Sequence, residues 1–205
     1  HCIKMKIGAI DFDTEYKLLQ AIRKSYSKDQ IELRVDANGA FSFEEAKDKL
    51  EQLAELDIHS IEQPIKQGQW QEMARLCEET PLPIALDEDL IGIFDDSEKT
   101  KLLETIKPQY IILKPSLVGG ISGSDTWIAE AEKLGIDWWI TSALESNIGL
   151  NAIAQYTYTK NNPLPQGLGT GSLYTNNIPS PLYVANGSLH YDSNAEWRLD
   201  VLFNS

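Results

Sequence analysis

The sequence has little cysteine, no long apolar run and far less base than acid. Its two thiols, Cys2 and Cys77, show no framework spacing. That excludes a disulfide-stapled scaffold, and reduced thiols in a cytoplasmic protein are expected. No apolar stretch is long enough to span a bilayer as a helix, and none reads as a signal peptide. The 18 basic residues against 31 acidic ones leave a net charge of −13. Nucleic acid and anionic membrane are therefore poor partners. Internal repeats, low-complexity tracts and visible domain boundaries are also lacking. The chain of 205 residues, 42% hydrophobic and 24% charged, has the size and make-up of one domain with a sizeable core.

Three stretches organise the chain. Ile31–Val35 alternates apolar and polar residues and closes on Asp36, Ala37, Asn38 and Gly39. Ile58–Ile61 closes on Glu62, Gln63 and Pro64, and Pro83–Leu86 closes on Asp87 and Glu88. The acids lie 26 and 25 positions apart, about the length of one strand and one crossover helix. Each of three successive β/α units thus presents an acid at the carboxyl end of its strand. Neighbouring parallel strands are about 4.8 Å apart, so bare carboxylates there repel one another. A hard divalent cation relieves the repulsion, and an all-oxygen set suits Mg²⁺ or Mn²⁺. The plainer reading is that each acid caps the helix that follows it.

The same alternation runs through the chain. Strands are expected at about 2–7, 31–35, 58–62, 83–87, 110–114, 136–141 and 166–171. Helices are expected at about 12–28, 43–56, 69–79, 97–105, 122–134 and 147–159. Ser42-Phe43-Glu44-Glu45 reads as a capping box, and Pro64, Pro81 and Pro83 act as stops. Seven strands alternating with six helices mean an α/β fold with a parallel sheet. Polar residues at one end of every strand point to a (β/α)₈ TIM-type barrel rather than a doubly wound sheet. A closed barrel needs eight strands, so the expectation is an incomplete barrel whose first strand precedes His1. From about residue 174 the tail is irregular. Tyr183–Asn186 and Leu189–Tyr191 flank Gly187 as a hairpin or a return crossing.

Lys4 and Lys6 project from one face of the first strand. Lys114 ends a strand expected to lie across the barrel mouth from them. Surface lysines that merely snorkel are the commoner case. Apolar neighbours and a nearby cation, however, lower a lysine pKa and make a usable base.

Taken in order, Lys4-Met5-Lys6, Asp36-Ala37-Asn38, Glu62-Gln63-Pro64, Asp87-Glu88 and Lys114-Pro115 resemble the enolase superfamily, in particular its muconate-lactonizing subgroup. The resemblance spans nearly the whole chain. It implies that residues 1–205 form the C-terminal barrel domain, with 174–205 as a return segment. It also implies a partner within the same protein, an N-terminal α+β capping domain that this sequence does not contain. Asp36, Glu62 and Asp87 are then the metal ligands, with Asn38 and Glu88 as polar support. Lys6 is the proton-abstracting base and Lys4 its helper. Lys114 is a second base or an electrostatic stabiliser of the enediolate. A related subgroup carries a histidine after the seventh barrel strand; here that place reads Thr141 to Ser146, without one.

Gly167-Leu168-Gly169-Thr170-Gly171 and the following Ser172–Pro179 resemble the o-succinylbenzoate synthases of this subgroup. Dipeptide epimerases instead carry an acidic pair there, and this chain has no acid between Glu145 and Asp192. Gly119, Gly120, Ser142 and Glu145 fall where a second, distal carboxylate of a small-molecule substrate would sit, although tight turns at helix starts also account for the glycines. The implied activity is dehydration of a cyclohexadiene carboxylate on the route to menaquinone. An N-acylamino-acid racemase is the alternative, muconate-type cycloisomerisation comes third, and a non-catalytic barrel is the reading from another class. His59 reads as a satisfied barrel residue rather than a ligand, His190 lies in the irregular tail, and Trp138 and Trp139 read as packing residues.

Overall fold

Strand and helix alternate because the apolar periodicity switches between two and 3.6 along the chain. The structure, a computed structural model, describes residues 2–202. Strands β1 (Cys2–Lys6), β2 (Glu32–Asp36), β3 (Ser60–Glu62), β4 (Ile84–Leu86), β5 (Tyr110–Leu113) and β6 (Asp137–Ile140) form one sheet in sequence order. Helices α1 (Phe12–Ser25), α2 (Phe43–Ala54), α3 (Trp70–Glu79), α4 (Asp96–Ile106) and α5 (Gly120–Lys133) fill the crossovers. Helix α6 (Asn147–Thr159) follows β6. The pairs β1–β2, β2–β3, β3–β4 and β4–β5 are all parallel. Sequential parallel strands joined by helices are the connectivity of a (β/α)₈ barrel.

The described residues divide into two compact units. One comprises the chain up to Ile112 together with Asp125–Trp138, and the other Leu113–Ser124 together with the chain from Trp139 onward. In the first unit, α2 shows why its residues are helical. Ser42 and Glu45 close a capping box in both directions, and Ala46, Leu50 and Leu53 are buried on one stripe. Each buried leucine contributes about 2 kcal/mol. Asp95 caps α4 by accepting from Ser97 N and Glu98 N. Helix α1 stops at Ser25, three residues short of expectation, because Tyr26 takes an extended conformation. Within and just after α1, Leu19 is enclosed and Tyr26 is exposed.

In the second unit the sequence expectation of a seventh sheet strand fails. Gln166–Gly171 contributes one parallel bridge, Thr141 to Gly167, with Gly167 N donating to Ile140 O at 2.9 Å and Ser142 N to Gly167 O at 3.0 Å. Pro163 and Pro165 remove amide donors just before it, and its three glycines have no side chain to pack. A Cβ at Gly167 would meet Thr141 Oγ1 at 2.3 Å, so the close approach requires glycine. The tail does form a hairpin: β7 (Leu182–Ala185) and β8 (Ser188–Tyr191) pair antiparallel around Asn186 and Gly187, both with positive φ. Trp138 and Trp139 are buried, as packing residues should be.

Candidate active site

Register decides which side chains meet. Lys6 pairs with Asp36 across β1–β2, and Asp36 pairs with Glu62 across β2–β3. These three form one row at the carboxyl ends of the strands. Lys4 lies two residues earlier on the same face. Glu62 pairs with Ala85, which places Asp87 two positions further along, just past the end of β4. There it opens a short 3₁₀ turn, Glu88–Leu90.

The row is knitted by charge. Lys4 Nζ donates to Asp36 Oδ2 at 2.9 Å and to Glu62 Oε2 at 2.7 Å. Lys6 Nζ donates to Asp36 Oδ2 at 2.9 Å and also to Asn38 Oδ1. Asn38 Nδ2 donates to Glu88 Oε1 at 2.8 Å, and Asn38 N to Asp36 Oδ1 at 3.0 Å. A relay of hydrogen bonds therefore runs from β1 through the loop after β2 to the turn after β4. The Lys6 side chain is 65% exposed while that of Asp36 is 1% exposed. The base candidate faces outward and the acid beneath it is enclosed.

The electrostatics follow. Burial works against the charge of Asp36, but Lys4 and Lys6 outweigh it and hold the carboxyl below its ordinary range. Burial also works against the ammonium of Lys4, yet Glu62 and Asp36 prevail and raise it. The nearest charges to Lys4 are anions, and they outweigh the burial that alone would lower it. Glu62 is pushed up to about 8, first by burial and then by Asp36 and Asp87, against the pull of Lys4. Too many acids for the two lysines converge here.

Among the described residues no three acidic, imidazole or thiol groups converge closely enough to hold a metal as they stand. The donor set nonetheless suits a hard divalent cation. It consists of carboxylate oxygens, and Glu62 Oε1 is buried with no hydrogen-bond partner. The crowding that raises Glu62 is what an added positive charge relieves.

The other expected residues lie in the second unit. Lys114 follows β5, is half-buried, and its carbonyl accepts from Leu117 N at 2.8 Å and Val118 N at 3.2 Å. Glu145 accepts from Ser116 Oγ at 2.5 Å and from Ser142 Oγ at 2.6 Å. Burial opposes the Glu145 charge, but these hydroxyls hold the carboxyl below its ordinary range. Gly119 and Gly120 both have positive φ, and the Gly120 amide donates to Pro115 O at 2.8 Å. That amide serves the turn into α5.

Sequence reasoning missed three buried side chains. Glu15 accepts from the amides of Gly8, Ala9 and Ile10 at 2.9, 3.3 and 3.3 Å, pinning the loop after Lys6. Gln63 and Asp89 hydrogen-bond each other at 2.7 Å beside the cluster. The third acid in the run Asp87-Glu88-Asp89 is the available signal for Asp89; no sequence pattern marks Glu15. His59 packs its ring against Tyr110, centroids 4.9 Å apart, and meets Ser60 Oγ at 3.0 Å. It is a packing residue.

The family model described as enolase C-terminal domain-like matches residues 1–194. The o-succinylbenzoate synthase of Desulfotalea psychrophila is 58% identical over 188 residues, covering 92% of this chain and 51% of the relative. The crystal structure of MenC from Desulfotalea psychrophila LSv54 superposes with a TM-score of 0.87 at 56% identity, covering 92% of this chain and 52% of that one. The L-Ala-D/L-Glu epimerase of Bacillus subtilis is 30% identical over 162 residues, 78% of this chain and 43% of the relative. The chain spans about half the length of the curated relatives it matches.

Proposed function

The chain belongs to the enolase C-terminal domain-like family, and on that premise we propose that it is the catalytic barrel portion of an o-succinylbenzoate synthase. The whole protein would dehydrate 2-succinyl-6-hydroxy-2,4-cyclohexadiene-1-carboxylate to o-succinylbenzoate in menaquinone biosynthesis, in the cytoplasm. The observation that carries the reading is the row Lys6, Asp36, Glu62 with Lys4 bonded to both acids. The 58% identity to a relative of that name supports the choice of reaction. The absence of any acid between Glu145 and Asp192 disfavours a substrate that carries an ammonium group.

Asp36, Glu62 and Asp87 would hold Mg²⁺, or Mn²⁺ in its place. When bound, the cation supplies positive charge opposite the substrate carboxylate. Lys6, as the free amine, takes the α-proton on Nζ. Lys4 orients the carboxylate and keeps a positive charge beside Lys6. The protonated Lys6 Nζ then returns its proton to the departing hydroxyl, the carbon–oxygen bond breaks, water leaves and the ring becomes aromatic. Lys114, by resemblance, offsets the negative charge that develops. Asn38 and Glu88 hold Lys6 in line through their hydrogen-bond relay. A capping domain elsewhere in the protein would exclude water from the site.

The test is loss of the cyclohexadiene chromophore by full-length protein with Mg²⁺. Rapid loss that disappears in Lys6→Ala is expected. No loss, but α-proton exchange on N-acylamino acids in D₂O, would move the assignment to a racemase using Lys6 and Lys114.

A further inference from the structure

Gln63 stands between the metal-site acid Glu62 and Pro64, and its surroundings are more specific than a packing residue needs. It is fully buried, and its φ of +40° is the left-handed conformation, unusual for a residue with a side chain. Its amide donates to Ala85 O at 3.0 Å and its carbonyl accepts from Gly39 N at 2.7 Å. The backbone is thereby tied to β4 on one side and to the loop after β2 on the other.

The turned backbone sends the side chain under the end of β4. Gln63 Oε1 accepts from Asp87 N at 3.3 Å and from Asp89 N at 3.4 Å. Gln63 Nε2 donates to Asp89 Oδ2 at 2.7 Å and to Ile65 O at 3.1 Å. Asp89 is itself buried, and its Oδ1 accepts from Gly68 N at 2.8 Å. A carboxamide offers two donor hydrogens and two acceptor lone pairs; all four are used. Glutamate at this position would set a second carboxylate against Asp89 with no hydrogen between them. An apolar residue would leave Asp89 buried with half its acceptors unmet. Neither Gln63 nor Asp89 belongs to the set of acids assigned to the cation. Their bonds reach that set through the backbone amide of Asp87.

We propose that Gln63 is the positioning residue of the acid cluster: its buried carboxamide fixes the turn bearing Asp87 against the strand end bearing Glu62, and so sets the spacing at which the two carboxylates take a divalent cation. The proposal rests on the metal reading of the site given above. It separates Gln63 from residues that only stabilise the fold. A merely structural brace, when loosened, lowers the melting temperature and leaves the affinity of the folded protein for metal unchanged. A positioning brace changes that affinity.

The experiment is Mn²⁺ binding to full-length protein, read by the electron paramagnetic resonance signal of free Mn²⁺, with circular dichroism to confirm folding. Wild type binds Mn²⁺. Gln63→Glu is expected to bind it about ten-fold or more weakly, as loss of a supporting partner does at other metal sites. The reciprocal double variant Gln63→Glu, Asp89→Asn restores a donor facing an acceptor and is expected to recover most of the affinity. If Gln63→Glu does not fold, Asp89→Asn alone serves, with an expected weakening of about three-fold. Wild-type affinity in a folded single variant, or a double variant no better than Gln63→Glu, overturns the proposal. Failure of wild type to bind Mn²⁺ overturns the metal reading itself and the proposal with it.

Discussion

The strands β1 to β3 carry charge towards both ends, and the two ends are built differently. Towards the amino ends, Arg34 Nε donates to Glu32 Oε1 at 2.7 Å, and Cys2 Sγ reaches the same oxygen at 3.5 Å. There an acid faces a base, with the His59 and Tyr110 rings packed together. At the carboxyl ends, Lys4 meets both Asp36 and Glu62, Lys6 meets Asp36, and burial with Asp36 and Asp87 pushes Glu62 up to about 8. An acid set against a base is close to neutral and serves the fold. An over-acidic cluster carries repulsion that a proton or a bound cation relieves. The same strands thus separate a structural ion pair from a candidate functional one by charge balance alone.

The largest effect that sharpens this contrast falls on turnover. Lys6→Ala should lower kcat of the full-length protein by about 10³-fold with little change in melting temperature, whereas Arg34→Met should keep most of the turnover. Comparable loss in both variants would erase the distinction.

Next comes metal affinity. Glu62→Gln removes one cation ligand and should weaken Mg²⁺ binding by more than about 100-fold, measured by calorimetry. Because it also relieves repulsion, it should leave the metal-free protein at least as stable as wild type. A large stability loss would mean that Glu62 belongs to the fold after all.

Glu32→Gln is the matched change at the other end. It removes the carboxylate that accepts from the buried Arg34 guanidinium and should cost about 2 kcal/mol in urea denaturation. Mg²⁺ affinity should stay as in wild type.

The smallest effect is one of pH. Burial holds His59 below its ordinary pKa, so the folded protein resists the proton that the unfolded chain accepts. The stability this contributes is present above the unfolded pKa of about 6.5 and is lost as pH falls through it. His59→Phe should flatten that acid-side loss by less than about 1 kcal/mol, seen by comparing urea midpoints at roughly pH 5 and pH 7.5. An unchanged pH dependence would remove His59 from the account.

Much of the site was legible in sequence for a local reason. An acid that closes an apolar run marks a strand end whether or not its neighbours are known, so Asp36, Glu62 and Asp87 stood out, as did Lys4 and Lys6 on one face. Gln63 carried no such mark. A glutamine before a proline is unremarkable until its side-chain partners, Ile65 beside it and the distant turn Asp87–Asp89, are brought together. Glu15 was hidden because its three partners are backbone amides that no side-chain pattern reveals. The seventh strand was overread: Gln166–Gly171 has the right place in the alternation, but prolines and glycines there cannot sustain a ladder.

By itself the sequence determined the order of strands and helices, the capping of α2, and the end of each strand at which polar groups gather. These depend on periodicity and on residues a few positions apart. Only the tertiary structure decided that Lys4 bridges Asp36 and Glu62, that its ammonium is strengthened rather than weakened, and that Glu62 is the strained acid. Register, burial and the local field are sums over side chains far apart in sequence. A single shift of register would regroup them without changing one residue.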